Sequence, residues 1–111
     1  MDARSDALAG LRILVVEDEM LVAMLLGQML QELRCDVVGP VSIVEDAIAV
    51  VRTQRLDGTL LDMNLHGKSS SPAADELLGR AVPFLLVTGY ASSDRDLGQC
   101  LGLKILQPRH A

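Results

Sequence analysis

A short apolar run that ends in an acidic residue is the feature that most constrains this chain. The run Thr59–Leu61 is followed by Asp62, and Gly67 and a cluster of serines come soon after it. Such a run, bounded by turn residues, is typical of a strand buried on both faces of a sheet. Asp62 would then lie at the carboxyl end of the strand, where open α/β sheets place their ligand crevice. The alternative is that Asp62 caps a turn, which is the commoner use of a lone aspartate.

A second acidic cluster favours a binding site over a simple turn. The residues Glu17, Asp18 and Glu19 directly follow the apolar segment Arg12–Val16, which also reads as a strand. In a doubly wound sheet the carboxyl ends of neighbouring parallel strands meet at one edge, so we expect both sets of acids to converge there. Helix capping is the alternative for this cluster, because acids are favourable at the start of a helix.

Strands alternate with helices along the chain, which predicts an α/β fold with a five-stranded, doubly wound parallel sheet and helices on both faces. We assign residues 1–10 to a flexible tail and residues 11–111 to a single domain. The predicted strands are Leu11–Val16, Asp36–Val38, a central strand around Thr59–Leu61, Phe84–Val87 and Lys104–Leu106. The predicted helices start at Asp18 or Glu19 (ending near Leu33), at a capping box Ser42–Glu45, at Pro72 (capped by Ser71 and ending near Leu78 and Gly79) and at Ser93 (ending near Leu101).

Two local expectations accompany this assignment. The segment His66–Ser71 is rich in glycine and serine, and we expect it to be a mobile connection.

Met20 and Met24 lie opposite the predicted core stripe of the first helix, either as scattered surface residues or as a contact for a partner. That stripe comprises Val22, Leu25, Leu26, Met29 and Leu33.

Composition excludes several classes of protein. Half of the 111 residues are apolar and only Phe84 and Tyr90 are aromatic, so we expect an aliphatic core. The net charge of -5 argues against the basic patch that a nucleic-acid binder needs. No apolar run approaches the roughly 20 residues that span a bilayer, and the first ten residues lack the apolar segment of a signal peptide. Cys35 and Cys100 show no metal-ligand spacing, so we expect two thiols in a reducing cytoplasm.

Three segments resemble the receiver domain of bacterial two-component response regulators. They are ILVVEDE at residues 13–19, LLDMNL at residues 60–65 and VTG at residues 87–89, in the order and spacing of that family from Leu11 to Leu106. The pair Gly39-Pro40 and the segment Val87–Tyr90 are most similar to its small stand-alone members. The resemblance implies the strand order 2-1-3-4-5 and a signalling module rather than a metabolic enzyme.

The resemblance also implies a chemistry for the acidic residues. Asp62 would be the phospho-acceptor, and Asp18 and Asp62 would bind Mg²⁺ directly, with Glu17 acting partly through water and the backbone carbonyl of Asn64 completing the protein ligands. Thr88 matches the position whose hydroxyl bonds the phosphoryl group, although an ordinary strand-end threonine is its alternative. The implied partners are a sensor histidine kinase or phosphotransfer protein as donor, and a downstream protein target.

The chain departs from the family near its last strand. Receivers carry a lysine, usually followed by proline, at the end of strand five, and here Gln107 or Pro108 occupies that position. On a parallel strand Lys104 would lie about 10 Å back from it, which leaves Arg109 as the better replacement. The family's strand-five aromatic residue is also missing, and almost no residues remain for a fifth helix. We therefore expect a bare apolar flank beside the first helix, covered by a partner or by a second copy in a homodimer.

Two other functions remain open from the sequence. A degenerate receiver would bind partners without a phosphorylation cycle, which the missing lysine, aromatic residue and last helix favour. A small Mg²⁺-dependent phosphatase would also use Asp62, but Asn64 stands where such an enzyme would need a second acid to protonate its leaving group.

Overall fold

The computed structural model describes residues 7–87 and the backbone of Leu103–Leu106. The strands are β1 (Arg12–Val16), β2 (Asp36–Val41), β3 (Gly58–Asp62), β4 (Asn64–Leu65), β5 (Lys68–Ser69), β6 (Phe84–Val87) and β7 (Leu103–Leu106). The helices are α1 (Met20–Glu32), α2 (Val44–Thr53) and α3 (Ser71–Gly79). The predicted fourth helix, Ser93–Leu101, lies outside the described residues, as does Cys100.

The main sheet has the order β2-β1-β3-β6-β7. Its first four strands are parallel, as the alternation of strands and helices predicts. The prediction of an all-parallel sheet is wrong at the last strand, because β7 pairs antiparallel with β6, with Leu103 opposite Val87 and Leu106 opposite Phe84. The sequence carries no signal for this direction, since the alternation of side chains in a short strand is the same in either orientation.

The helices cover the two faces of the sheet separately. On one face α1 packs Leu26 and Leu30 against Val15 of β1 and Val87 of β6. On the other face α2 and α3 enclose a larger core around Leu61 of β3. That core contains Leu14, Val16, Val44, Ala47, Val51, Leu61, Leu65, Ala73, Leu77 and Phe84. This three-layer arrangement buries β3 on both sides, as the apolar run before Asp62 predicts.

The buried face of α1 differs from the predicted stripe. Ala23, Leu26 and Leu30 are its buried residues, whereas Leu25 and Met29 are 58% and 55% exposed. Apolar side chains occupy nine of the 13 positions of this helix and lie on all of its sides, so the periodicity fits more than one face and cannot select the one that meets the sheet. Ala23 faces inward because a small side chain lets the helix approach the strands closely.

Strand β2 continues past the predicted stop at Gly39 and Pro40. The β1–β2 register shifts between Leu14 and Val16, so the pairing resumes with Val41 opposite Val16. Gly39 has a φ of +94°, and a Cβ atom there would lie 3.0 Å from the carbonyl oxygen of Val15. Only glycine fits this irregularity.

Two predicted helix starts are realised differently. The capping box at Ser42–Glu45 is not formed, because Ile43 is the N-cap of α2 and makes no side-chain cap hydrogen bond. Ser71 is the first residue of α3 rather than its cap, and Pro72 stands in the first turn.

The segment expected to be mobile is instead a small antiparallel hairpin in which Asn64 pairs with Ser69 and Leu65 pairs with Lys68. None of the helices in the described part of the chain is long and apolar enough to cross a membrane.

Candidate functional site

The register of the parallel strands brings the predicted acidic residues to one edge of the sheet. Val16 of β1 pairs with Leu61 of β3, so the residues that follow each of them, Glu17 and Asp62, lie side by side at the carboxyl ends of their strands. Glu17 is held there by the continuation of β2, because its N–H donates to the carbonyl of Val41 at 2.9 Å. This bond continues the β1–β2 pairing after its register shift, where Val41 lies opposite Val16.

Three carboxylates converge at this edge. One oxygen each of Glu17, Asp18 and Asp62 lies within 4.8 Å of the others. Glu17 is only 5% exposed, whereas Asp18 and Asp62 are half-buried. The structure therefore brings together the three acids that the sequence placed at the ends of two separate strands.

Backbone N–H groups orient two of these carboxylates. The N–H of Glu19 donates to Oε2 of Glu17 at 3.0 Å, and the N–H of Asn64 donates to Oδ1 of Asp62 at 3.2 Å. The second bond is the turn-capping contact that was the alternative for Asp62, and it coexists with the cluster. Glu19 is the N-cap residue of α1 but makes no side-chain cap hydrogen bond, so helix capping does not explain this acid.

The local electrostatics oppose full ionisation of the cluster. Burial raises the pKa of Glu17 to about 8, and the hydrogen bond and charge of Asp62 act in the same direction. The pKa of Asp62 is also raised, first by burial and then by the charge of Asp18, against a lowering contribution from the N–H of Asn64. A bound cation would remove this conflict, because it favours the charged form of every carboxylate around it.

One residue at the site was missed by sequence reasoning. His66 lies at the tip of the β4–β5 hairpin, and its N–H donates to Oδ2 of Asp18 at 2.9 Å. Its imidazole Nδ1 lies 3.7 Å from the same oxygen. Leu65 is 1% exposed and anchors the hairpin in the core, which holds His66 over the acids. The only sequence signal was Gly67, whose φ of +81° marks the turn.

Other predicted residues lie farther from this cluster or outside the described chain. Asn64 is exposed, and its described contact with the site is its N–H rather than its carbonyl. Thr88 and Arg109 lie outside the described residues, as do Gln107 and Pro108. Lys104 belongs to β7 and pairs with Leu86, close to the edge that carries Asp62. The prediction that Lys104 lies far back from this edge is wrong, because it holds only for a parallel strand and β7 is antiparallel.

The chain matches the family model described as the response regulator receiver domain over residues 13–106. The transcriptional regulatory protein PdtaR of Mycobacterium tuberculosis is 29% identical over 94 residues, which are 84% of this chain and 45% of PdtaR. The chain thus spans less than half the length of this curated relative.

Two solved structures share the fold. SdrG from Sphingomonas melonis Fr1 has a TM-score of 0.70 and 40% identity, over 78% of this chain and 75% of SdrG. The receiver domain of the sensor histidine kinase PA1611 from Pseudomonas aeruginosa PAO1 has a TM-score of 0.66 and 29% identity, over 85% of this chain and 80% of that one. That structure was solved with a magnesium ion coordinated in its active-site cleft. With acids gathered at the ends of two parallel strands and a family model matched along most of its length, this chain belongs to the response regulator receiver domain family.

Proposed function

We propose that this chain is a phospho-accepting receiver in which Asp62 takes a phosphoryl group from a phosphohistidine on a sensor histidine kinase or a phosphotransfer protein. The observation that carries this proposal is the convergence of the Glu17, Asp18 and Asp62 carboxylates within 4.8 Å of one another. Burying acids beside one another costs stability, so the arrangement is better explained by a ligand than by the fold. The chain then acts as a signalling module that reports its state to a downstream protein by contact.

The donor set fits Mg²⁺. Carboxylate and carbonyl oxygens are the hard ligands that Mg²⁺ takes, and the half-buried Asp18 and Asp62 leave room for the waters that it keeps. In this proposal Asp18 and Asp62 are direct ligands, Glu17 acts partly through water and the Asn64 carbonyl completes the protein set. When bound, the ion neutralises charge on the oxygens of the transferring phosphoryl group.

The protein itself supplies the nucleophile and its orientation. A carboxylate oxygen of Asp62 forms a bond to phosphorus while the phosphorus–nitrogen bond of the donor breaks. The electron pair of that bond leaves with the donor imidazole, which takes up a proton, and Asp62 becomes an acyl phosphate. The N–H of Asn64 restrains the carboxylate before attack, because it holds Oδ1 at 3.2 Å. The raised pKa of Asp62 makes a neighbouring cation important for keeping this group ionised.

Three further residues have proposed roles beside the acceptor. Thr88 directly follows Val87, which pairs with Asp62 in the β3–β6 ladder, and we assign its hydroxyl to the phosphoryl group once it is transferred. Met20 and Met24 are 74% and 53% exposed at the start of α1, directly after the acidic cluster. We assign this pair to contact with the donor protein, since flexible apolar side chains near the site mouth suit a docking surface.

The test is the intact mass of the protein after incubation with acetyl phosphate and Mg²⁺. Wild type should gain one phosphoryl group, Asp62→Asn should gain none, and chelation of Mg²⁺ should abolish the gain. Asp75→Asn is the matched control, because it removes an exposed aspartate from α3 and should label like wild type. Labelling of Asp62→Asn to the wild-type extent would show that the acceptor is another residue.

The second candidate is a degenerate receiver that binds its partners without phosphorylation. The antiparallel β7 favours it, because its last residue, Leu106, pairs with Phe84 at the edge opposite Asp62, and neither Gln107 nor Pro108 supplies the family's lysine. A lost charge-assisted contact of this kind costs about 1.5–3 kcal/mol. Wild-type protein that stays unlabelled in the same mass measurement, while it still binds Mg²⁺, would favour this function.

A further inference from the structure

Lysine and arginine side chains are distributed unevenly between the two edges of the sheet. Five arginines lie where a strand begins or a helix ends, which in this parallel fold is the edge opposite the acidic cluster. They are Arg12, Arg34, Arg52, Arg55 and Arg80. Among the lysines and arginines whose side chains the structure describes, Lys68 alone lies at the edge that carries Asp62.

The β4–β5 hairpin holds Lys68 beside the acids. His66 and Gly67 form its two-residue turn, with φ values of +52° and +81°, and Lys68 pairs with Leu65 across this turn. At the tip of the hairpin, the N–H of His66 lies 2.9 Å from Oδ2 of Asp18. Lys68 follows two residues later, so its Cα lies within about 7 Å of the His66 Cα. Its flexible four-carbon stem spans a similar distance, which places the space above the carboxylates within reach of the ammonium.

No side chain in the described part of the chain engages this ammonium. Lys68 is exposed, and none of its described neighbours forms an ion pair or a hydrogen bond with its side chain. The guanidinium groups of Arg12, Arg52, Arg55 and Arg80, by contrast, each donate to an oxygen of another residue. Lys68 is therefore free to bind an anion that arrives at the acidic edge.

A phosphoryl group on Asp62 would be such an anion. It adds up to about two negative charges to a site where the carboxylates of Glu17, Asp18 and Asp62 already lie within 4.8 Å of one another. One divalent ion offsets only part of this total charge. A lysine ammonium is a compact positive charge with three N–H donors, and it binds phosphoryl oxygens through charge-assisted hydrogen bonds.

We propose that the ammonium of Lys68 binds an oxygen of the phosphoryl group at Asp62, both during the transfer and in the acyl phosphate. This role rests on the proposed function, because it assigns a second partner to the group that Asp62 accepts. Lys68 donates hydrogen bonds and keeps its protons throughout. Lys104 of β7 is the alternative cation, but two strand spacings, or roughly 10 Å, separate its strand from β3.

The initial rate of phosphorylation by acetyl phosphate, followed by intact mass in saturating Mg²⁺, tests this role. Lys68→Gln should lower the rate at least about tenfold, because a charge-assisted contact with the transferring group is lost. Lys68→Arg keeps the positive charge and should recover most of the rate. Lys104→Gln is the matched control, because it removes the same charge from β7 and should react like wild type.

The affinity for Mg²⁺ separates the loss of the charge from damage to the hairpin. Because Lys68 repels a cation, Lys68→Gln should bind Mg²⁺ at least as tightly as wild type in isothermal titration calorimetry. A damaged hairpin would instead release the His66 N–H from Asp18 and weaken the binding. Weaker Mg²⁺ binding by Lys68→Gln would therefore assign the lost rate to the hairpin and overturn the proposal.

Three other results would also overturn it. Equal rates for wild type and Lys68→Gln would remove the role of Lys68 while the proposed function stands. A slow Lys104→Gln beside a normal Lys68→Gln would assign the contact to β7, and a Lys68→Arg variant as slow as Lys68→Gln would show that the charge is not what matters. A wild-type chain that gains no phosphoryl group would instead refute the proposed function itself, and the role of Lys68 with it.

Discussion

The backbone N–H of His66 donates a hydrogen bond of 2.9 Å to Oδ2 of Asp18, across 48 residues of sequence. This bond ties the β4–β5 hairpin to a candidate metal ligand. A cation bound to Asp18 would draw electron density from the carboxylate that accepts the His66 N–H, so we expect the hairpin to respond to metal binding.

Mg²⁺ binding should consequently be visible at the His66 backbone. In a titration followed by amide NMR spectra, we expect the His66 amide to show one of the largest shifts. The amide of Gly79, at the end of α3, should barely move and serves as the internal control. If the chemical shifts of the Glu19 and Asn64 amides change until they saturate while that of His66 stays constant, the ion does not bind Asp18 on that side.

Removal of one carboxylate should weaken the metal site. Asp18→Ala should lower Mg²⁺ affinity at least about tenfold, since even the loss of an outer-shell partner of a metal costs 10–100-fold. Asp46→Ala, an exposed residue of α2, removes the same charge at a distance and should change the affinity little. Isothermal titration calorimetry compares the two variants, and equal affinities would show that Asp18 is not a ligand.

The metal-free protein should lose stability as the pH rises from about 4.5 to about 8. Folded Glu17 has a pKa of about 8 against 4.5 for the ordinary group, so in this window the folded state binds more protons than the unfolded state. Raising the pH then favours unfolding, by up to about 1.4 kcal/mol per pH unit for one proton, and the raised pKa of Asp62 acts in the same direction. Below about pH 4.5 both states hold the Glu17 proton, and the penalty vanishes.

Urea unfolding in the presence of a chelator, at several pH values across this window, measures the effect. Other carboxylates contribute their own slopes, so the informative quantity is the difference between wild type and Glu17→Gln. The variant should lose less stability as the pH rises, and saturating Mg²⁺ should flatten the wild-type curve. If the unfolding free energies of wild type and Glu17→Gln change with pH in parallel, the raised pKa of Glu17 is contradicted.

Gly39→Ala should destabilise the fold and loosen the site. A residue with a side chain pays at least about 1–2 kcal/mol for a left-handed conformation, and the new Cβ would also lie 2.9 Å from the amide nitrogen of Val41. Gly27→Ala is the control in the same chain, because a Cβ there meets nothing within 4 Å and helix propensity favours alanine by about 1 kcal/mol. Thermal melts should therefore move in opposite directions, and a neutral Gly39→Ala would show that the β2 irregularity relaxes freely.

The sequence was sufficient to predict the parallel part of the fold and the convergence of the acids. Burial of β3 on both faces follows from its apolar run, and parallel topology then leaves the residues after Val16 and Leu61 at one edge. These properties follow from local composition together with a general rule of sheet geometry. Proximity of Glu17, Asp18 and Asp62 therefore needed no knowledge of particular contacts.

Only the tertiary structure decided the features that depend on which surfaces meet. Three features depend on residues that are distant in sequence. They are the antiparallel direction of β7, the burial of Ala23 rather than Leu25, and the contact of His66 with Asp18. Periodicity cannot choose among the faces of a helix that is apolar nearly all round, and a four-residue strand reads the same in both directions. Every residue except proline carries a backbone N–H, so the sequence does not show which N–H will bind a given side chain.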